Sequence, residues 1–291
     1  MSGTERPTPA EVALDLAREL GLRAERGEVL HDRSNLLLHL IPDNVVARVV
    51  TRTAEARAGD AWLRREVAIA AHLAAAGAPV VPPACALPPG PHTHHGHTVT
   101  FWEYVEVLPG RAGPAKAGRG LRTCHDALDD FTGELQAMGT FEEARRILRD
   151  LDRDSVLPAK TIATAEAAAD RVEGRIRVLE PALRPLHGDA HLNNVLNTAR
   201  GPLWGDWEDC FLGPREWDLA CLVKTRRVLG EGDGSSEIAL TAYGDGADPT
   251  LLELMIEART VQVMAWSALL WRSDPAQTRW QRYAEWLTRR V

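Results

Sequence analysis

The sequence predicts an α+β fold made of a small mixed α/β lobe, residues 1–105, and a larger, mainly helical lobe, residues 106–291. Three observations carry this. Within residues 1–105, a helical pattern, two β-rich runs, a second helical pattern and another β-rich run succeed one another, whereas helical periodicity dominates beyond residue 106. The helical half is interrupted between His187 and Asp218 by a segment dense in Asp, Asn and Gly. A chain of 291 residues with 45% hydrophobic content also has the apolar surface for one or two cores.

The elements follow in order. Thr8-Pro9-Ala10-Glu11 is a helix start, with Thr8 as cap, Pro9 in the first turn and Glu11 completing a capping box. Val12, Leu16 and Leu20 form its apolar stripe, and Gly21 ends it. A polar turn, His31 to Asn35, precedes two β-rich runs, Leu36 to Ile41 and Val45 to Val50, joined at Pro42-Asp43-Asn44 as a hairpin. Helical spacing returns from Asp60 to Ala76 and stops at Gly77-Ala78-Pro79. After a Pro-rich connection, Val99 to Val107 reads as a strand. Helices are then expected over Leu121 to Met138, Phe141 to Leu151, Thr161 to Leu179, Leu251 to Leu270 and Gln277 to Arg290.

Composition narrows the function classes. The formal net charge of −7, from 41 acidic and 34 basic residues, argues against a nucleic-acid partner, which requires a basic surface. It is compatible with a cationic small molecule. No apolar stretch reaches the length of a membrane span, and Met1 to Glu11 lacks an apolar signal core, so a cytoplasmic protein is expected, as monomer or homodimer. Cys85, Cys124, Cys210 and Cys221 form no C-x-x-C pair and are expected to be reduced thiols.

The interruption carries the chemistry. It reads His187-Gly188-Asp189-Ala190-His191-Leu192-Asn193-Asn194, then Gly205-Asp206-Trp207-Glu208, then Trp217-Asp218-Leu219-Ala220. Phosphoryl transfer from a nucleotide needs an acceptor hydroxyl held in line with the phosphates, a carboxylate to orient that hydroxyl, and a divalent ion to neutralise charge. Asp189 suits the carboxylate role. Asn194 and Asp206 offer hard oxygen donors suited to Mg2+. Val195 to Asn197 and Pro202 to Trp204 can pair as a hairpin around Ala199-Arg200-Gly201, which brings Asp206 back toward Asn194. A lone Asp or Asn in a loop is usually a turn residue; Asp189, Asn194, Asp206 and Asp218 occurring together point to chemistry instead.

These segments resemble the aminoglycoside phosphotransferase and choline kinase-like family, which has the two-lobed protein-kinase-like fold. The resemblance spans roughly residues 28 to 225. It implies that Asp189 is the catalytic base, that Asn194 and Asp206 hold Mg2+, and that His187 and Asp218 support the catalytic loop. It further implies that residues 1–105 bind ATP or GTP, with Arg48 as the phosphate-binding cation on a strand and Glu66 as its partner on the following helix. No G-x-G-x-x-G precedes Arg48, so Ser34 and Asn35 are expected to take the place of a glycine turn near the phosphates. Glu103 and Val105, in Phe101-Trp102-Glu103-Tyr104-Val105, would meet the adenine edge through main-chain groups.

The acceptor implied is a small molecule with a hydroxyl, such as an aminoglycoside or another amino or sugar alcohol. Glu208, Asp209, Trp266 and Trp271 are candidates to contact it, with Glu253, Glu257, Asp274, Trp280 and Trp286 as further carboxylates and rings in this half. His92, His94, His95 and His97 form a cluster able to attract zinc or nickel, in what its Pro and Gly flanks mark as an exposed loop. The same residues also admit two other function classes: a metal-dependent hydrolase using His187, Asp189 and His191 with Asp206 bridging, and a nucleotide-binding scaffold without catalysis.

Overall fold

A computed structural model describes residues 7–53, 57, 59–151, 157–270 and 279–290. Helix α1 (Pro9–Glu19) starts at the expected capping box: the Glu11 amide donates to Thr8 Oγ1 (3.3 Å) and the Thr8 amide to the Glu11 carboxylate (2.7 Å). Strands β1 (Arg26–Asp32), β2 (Asn35–Ile41), β3 (Val45–Val50), β4 (His92–His94) and β5 (His97–Glu103) form an antiparallel sheet in the order β1-β2-β3-β5-β4. Helix α2 (Ala61–Ala75) lies between β3 and β4 in sequence.

The alternation of side chains along β3 assigns its two faces different tasks. Val45, Ala47 and Val49 pack with Val12, Ala13, Leu16 and Ala17 of α1, closing one core together with Leu36, Leu38, Leu40, Val99 and Phe101. The other face carries Val46, Arg48 and Val50, so Arg48 is buried on the side that meets α2. Sequence alone gave no strand at β1 or β4. The β1 segment is exposed along nearly its whole length, so it has no apolar alternation to read. The β4 segment, expected as loop, pairs with β5.

The second lobe contains α3 (Pro114–Leu128), α4 (Gly139–Asp150), α5 (Ala159–Leu179), α6 (Glu216–Leu229), α7 (Ser235–Tyr243), α8 (Pro249–Leu270) and α9 (Arg279–Thr288). Short strands β6 (Arg184–Leu186) and β9 (Phe211–Gly213) pair, as do β7 (Val195–Thr198) and β8 (Gly201–Trp204). The helix expected over residues 121–138 begins earlier and ends at Leu128. Gly118 and Gly120 discourage a helix in sequence, yet Gly118 is the point of closest approach to α7: a Cβ there would lie 2.0 Å from the Ala239 carbonyl oxygen. The main core runs through this lobe, with Trp204, Trp207, Trp217, Phe141 and Phe211 at its centre, and extends to α2 through Val67, Ile69, Ala70 and Leu73.

Candidate active site

The β7–β8 hairpin does what its sequence anticipates. Val195 pairs with Trp204 at its open end, and the Gly205 amide donates to the Asn194 carbonyl (2.9 Å). Gly205, the residue before Asp206, is thereby held against Asn194. Asp206 adopts a left-handed backbone (φ 64°) and its side chain remains about half exposed (49%). Two oxygen donors at one exposed corner suit a divalent ion that keeps several waters.

Behind this corner the loop carrying Asp189 is fixed by a buried carboxylate. Asp218, at the start of α6, accepts from the amides of His187 (2.8 Å) and Gly188 (2.9 Å) and bonds His125 Nε2 (2.8 Å), while His125 Nδ1 meets the Tyr243 hydroxyl (2.8 Å). Gly188 takes φ 86°, and a Cβ there would lie 2.0 Å from the Asp209 carbonyl oxygen, so only glycine fits. The His187 ring is fully buried against Trp207 and Trp204; its Nε2 donates to the Gly205 carbonyl (3.0 Å) and its Nδ1 accepts from the Asp189 amide (3.3 Å). Both nitrogens are engaged within the loop, so His187 does not join Asp189 and His191 in a three-ligand metal site.

Asp189 itself is held on several sides. Arg259 of α8, itself buried, donates to Asp189 Oδ1 and to Gln262 Oε1. The Oδ2 atom lies 3.4 Å from His191 Nε2 and 3.5 Å from Asn194 Nδ2. Burial alone raises a carboxyl pKa, but Arg259, with His191 and His187 behind it, outweighs that and holds Asp189 well below the usual carboxylate range.

The small lobe contributes Arg48. Its Nη1 reaches both Glu66 oxygens (2.7 Å each) and lies 3.7 Å from Asp206 Oδ1, while Nη2 meets Glu208. The Asn35 carboxamide, with its oxygen toward Arg48, accepts from Nη2 (2.7 Å) and Nε (3.3 Å). The Ser34 carbonyl accepts from the Thr51 hydroxyl (2.9 Å) and the Thr53 amide (3.2 Å), tying the β1–β2 turn to the end of β3. Burial pushes the Glu66 carboxyl up to about 7, with Arg48 opposing and Asp206 adding to the rise. In the connection between lobes, the Glu103 amide is taken by the Pro82 carbonyl (3.0 Å) and the Tyr104 amide by the Asn44 carbonyl (3.0 Å). The Val105 amide has no such partner among the described backbone bonds.

The acceptor-side candidates fare differently. Glu208 turns to Arg48, Asp209 is bound by Arg57, Glu257 by Arg171, and Glu253 by Arg290 and Arg227. Trp266 is half-buried, with Arg57 4.9 Å from its ring centroid. Trp280 belongs to a small core, Trp286 packs under Arg290, and Trp271 and Asp274 lie outside the described residues. Sequence reading missed Arg259, Arg57, Lys224 and His125. A lone arginine within the apolar stretch Met255 to Trp266 was the one available signal for Arg259.

The sequence matches the phosphotransferase enzyme family over residues 27–254, most of the chain. The chain belongs to this family. Its fold is that of small-molecule kinases with the two-lobed protein-kinase-like architecture. Amicoumacin kinase hAmiN, solved with AMP-PNP, Ca2+ and Ami, superposes with a TM-score of 0.71 at 14% identity, covering 96% of this chain and 93% of that one. Choline kinase LicA from Streptococcus pneumoniae gives 0.70 at 14% identity, covering 94% and 98%. Spectinomycin phosphotransferase APH(9)-Ia, in its AMP-bound form, gives 0.64 at 15% identity, covering 96% and 95%. At these identities the likeness is one of fold. No curated protein matches the sequence significantly. Among the described residues no helix is long and apolar enough to cross a membrane.

Proposed function

We propose that this family member transfers the γ-phosphoryl group of ATP, with Mg2+, to a hydroxyl of a small molecule in the cytoplasm. Residues 1–105 form the nucleotide lobe and 106–291 the catalytic and acceptor lobe. The observation that carries the reading is the convergence of Asp189, Asn194 and Asp206 at the open end of one hairpin, with Arg48 3.7 Å from Asp206.

Asn194 and Asp206 would hold Mg2+, whose charge offsets that of the phosphates. Arg48 is the cation for the phosphates, aimed by Glu66 and Asn35. The Val105 amide, without a backbone partner among the described residues, is suited to an adenine ring nitrogen. Because Arg259 occupies Asp189 Oδ1, the acceptor hydroxyl donates to Oδ2. Asp189 remains ionised at neutral pH and is weakly basic, so it orients the hydroxyl in the ground state. It receives the proton only as the new O–P bond forms, late in a loose transition state. The carboxylates nearest the cleft are already paired with arginines, so an acceptor ammonium has to displace a guanidinium to reach one. Uncharged alcohols such as sugars therefore belong beside aminoglycosides and amino alcohols in any search for the acceptor.

The test is nucleoside diphosphate release from ATP across a panel of aminoglycosides, macrolides, amino alcohols and sugars. Asp189→Asn is expected to lower turnover by about 10²–10⁴-fold with nucleotide affinity retained. Undiminished turnover in that variant would exclude the mechanism.

A further inference from the structure

The histidine-rich segment plays no part in phosphoryl transfer, and the fold gives it a partner that the sequence could not. In the β4–β5 hairpin, His94 pairs with His97 across a two-residue turn, His95-Gly96, in which both residues have positive φ (45° and 80°). Such turns favour Asn and Gly; here a histidine is held in that conformation. The turn lies over α1. His94 Nε2 is 2.8 Å and His95 Nε2 3.3 Å from one oxygen, Asp15 Oδ2, and the two rings are 4.3 Å apart. The ligand atoms of the three residues all lie within 4.8 Å of one another.

We propose that Asp15, His94 and His95 bind one Zn2+ ion that fastens α1 to the β4–β5 hairpin. Two imidazoles and a carboxylate are a donor set that zinc favours over magnesium or calcium. Ligands at about 2.0–2.1 Å around a tetrahedral ion lie about 3.3–3.4 Å apart, close to the spacing already present. Glu19, one helical turn beyond Asp15, adds a carboxylate behind the site: its Oε2 is 3.9 Å from His94 Nδ1. His94 Nε2 donates to Asp15 Oδ2 in the metal-free chain (2.8 Å); the ion would replace that hydrogen, with the ring proton moving to Nδ1 on the Glu19 side. Asp15 and His95 are each about half exposed, which leaves the fourth position to water. His92 is not part of the site, since its Nε2 turns to the Pro88 carbonyl (2.8 Å).

The test is calorimetric titration of the metal-stripped full chain with Zn2+ in excess Mg2+, so that the hard oxygen site near Asp206 does not contribute. One equivalent should bind and raise Tm, because the ligand set exists only in the folded protein. His94→Asn with His95→Asn should weaken that event by about tenfold or more and remove the Tm rise, whereas His92→Asn should leave both unchanged. Asp15→Asn, outside the hairpin, should reproduce the loss if the double variant folds poorly. The proposal is overturned if the wild-type chain binds no such equivalent, or if it persists in the Asp15 and paired histidine variants.

Discussion

Arg259 donates to one oxygen of Asp189 and leaves the other facing His191 and Asn194, so in the proposed reaction a residue 70 positions further along the chain would select which lone pairs meet the acceptor. Arg259→Gln is expected to lower kcat by about 10- to 100-fold through misorientation of Asp189, with KM for ATP nearly unchanged. Arg259→Lys should recover part of kcat, since it restores charge without the planar fork. Equal losses in kcat and ATP affinity would mean that Arg259 only supports the fold. Near this pair lies Lys224, buried, with its Nζ 3.0 Å from the Tyr283 hydroxyl. Burial, and Arg259 nearby, push its pKa down to about 7 from an ordinary value of 10.5. A depressed base contributes stability that is present above its unfolded pKa and is lost as pH falls toward the folded one. Lys224→Met should therefore raise Tm at pH 6–7, with the gain shrinking toward pH 10; a pH-independent change would contradict this. The acidic and amide members of the candidate site could be singled out in sequence because they sit in short spaced motifs. Arg259 and Arg57 were not, since each finds its acid through tertiary packing and neither neighbours a motif.

At the scale of elements, the hairpin β7–β8 and the first turn of α6 build the site together. One brings Asp206 to Asn194; the other supplies Asp218 to the loop that carries Asp189. Asp218→Ala leaves two buried amides and the His125 ring without their acceptor. It is expected to cost about 3–5 kcal/mol in urea unfolding and to abolish activity, although Asp218 lies behind the loop. A loss below about 1 kcal/mol would show that the loop is fixed by other means. The hairpin was readable from two short β-rich runs around Ala199-Arg200-Gly201. The β1 and β4 strands were not, because an exposed edge and a histidine-rich arm have no buried face to produce alternation. The displaced limits of α3 have a different cause: Gly118 serves contact with α7 and Gly120 with Pro79 and Trp204, while local propensity counts both as breakers.

For the whole molecule, the main core runs from the large lobe into the face of the sheet that carries α2, and arginines join the two lobes beside it. Arg57, between β3 and α2, reaches Glu143 on α4 (2.9 Å) and Asp209, with Trp62 and Trp266 5.6 and 4.9 Å away. Arg48 meets Glu66 within its own lobe and Glu208 from the other. The α+β class was legible from the shift in periodicity near residue 106, whereas α6, α7 and these pairs between the lobes appear only once the chain has folded. In the proposed reaction Asn194 and Asp206 hold one divalent ion against a nucleotide beneath Arg48. Paramagnetic titration with Mn2+ in place of Mg2+, with ATP present, measures that directly and needs no acceptor. The wild-type chain should take up Mn2+ with ATP, and Asp206→Asn and Asn194→Ala should each weaken that uptake by about tenfold or more; nucleotide-dependent Mn2+ affinity unchanged in both variants would contradict the central claim.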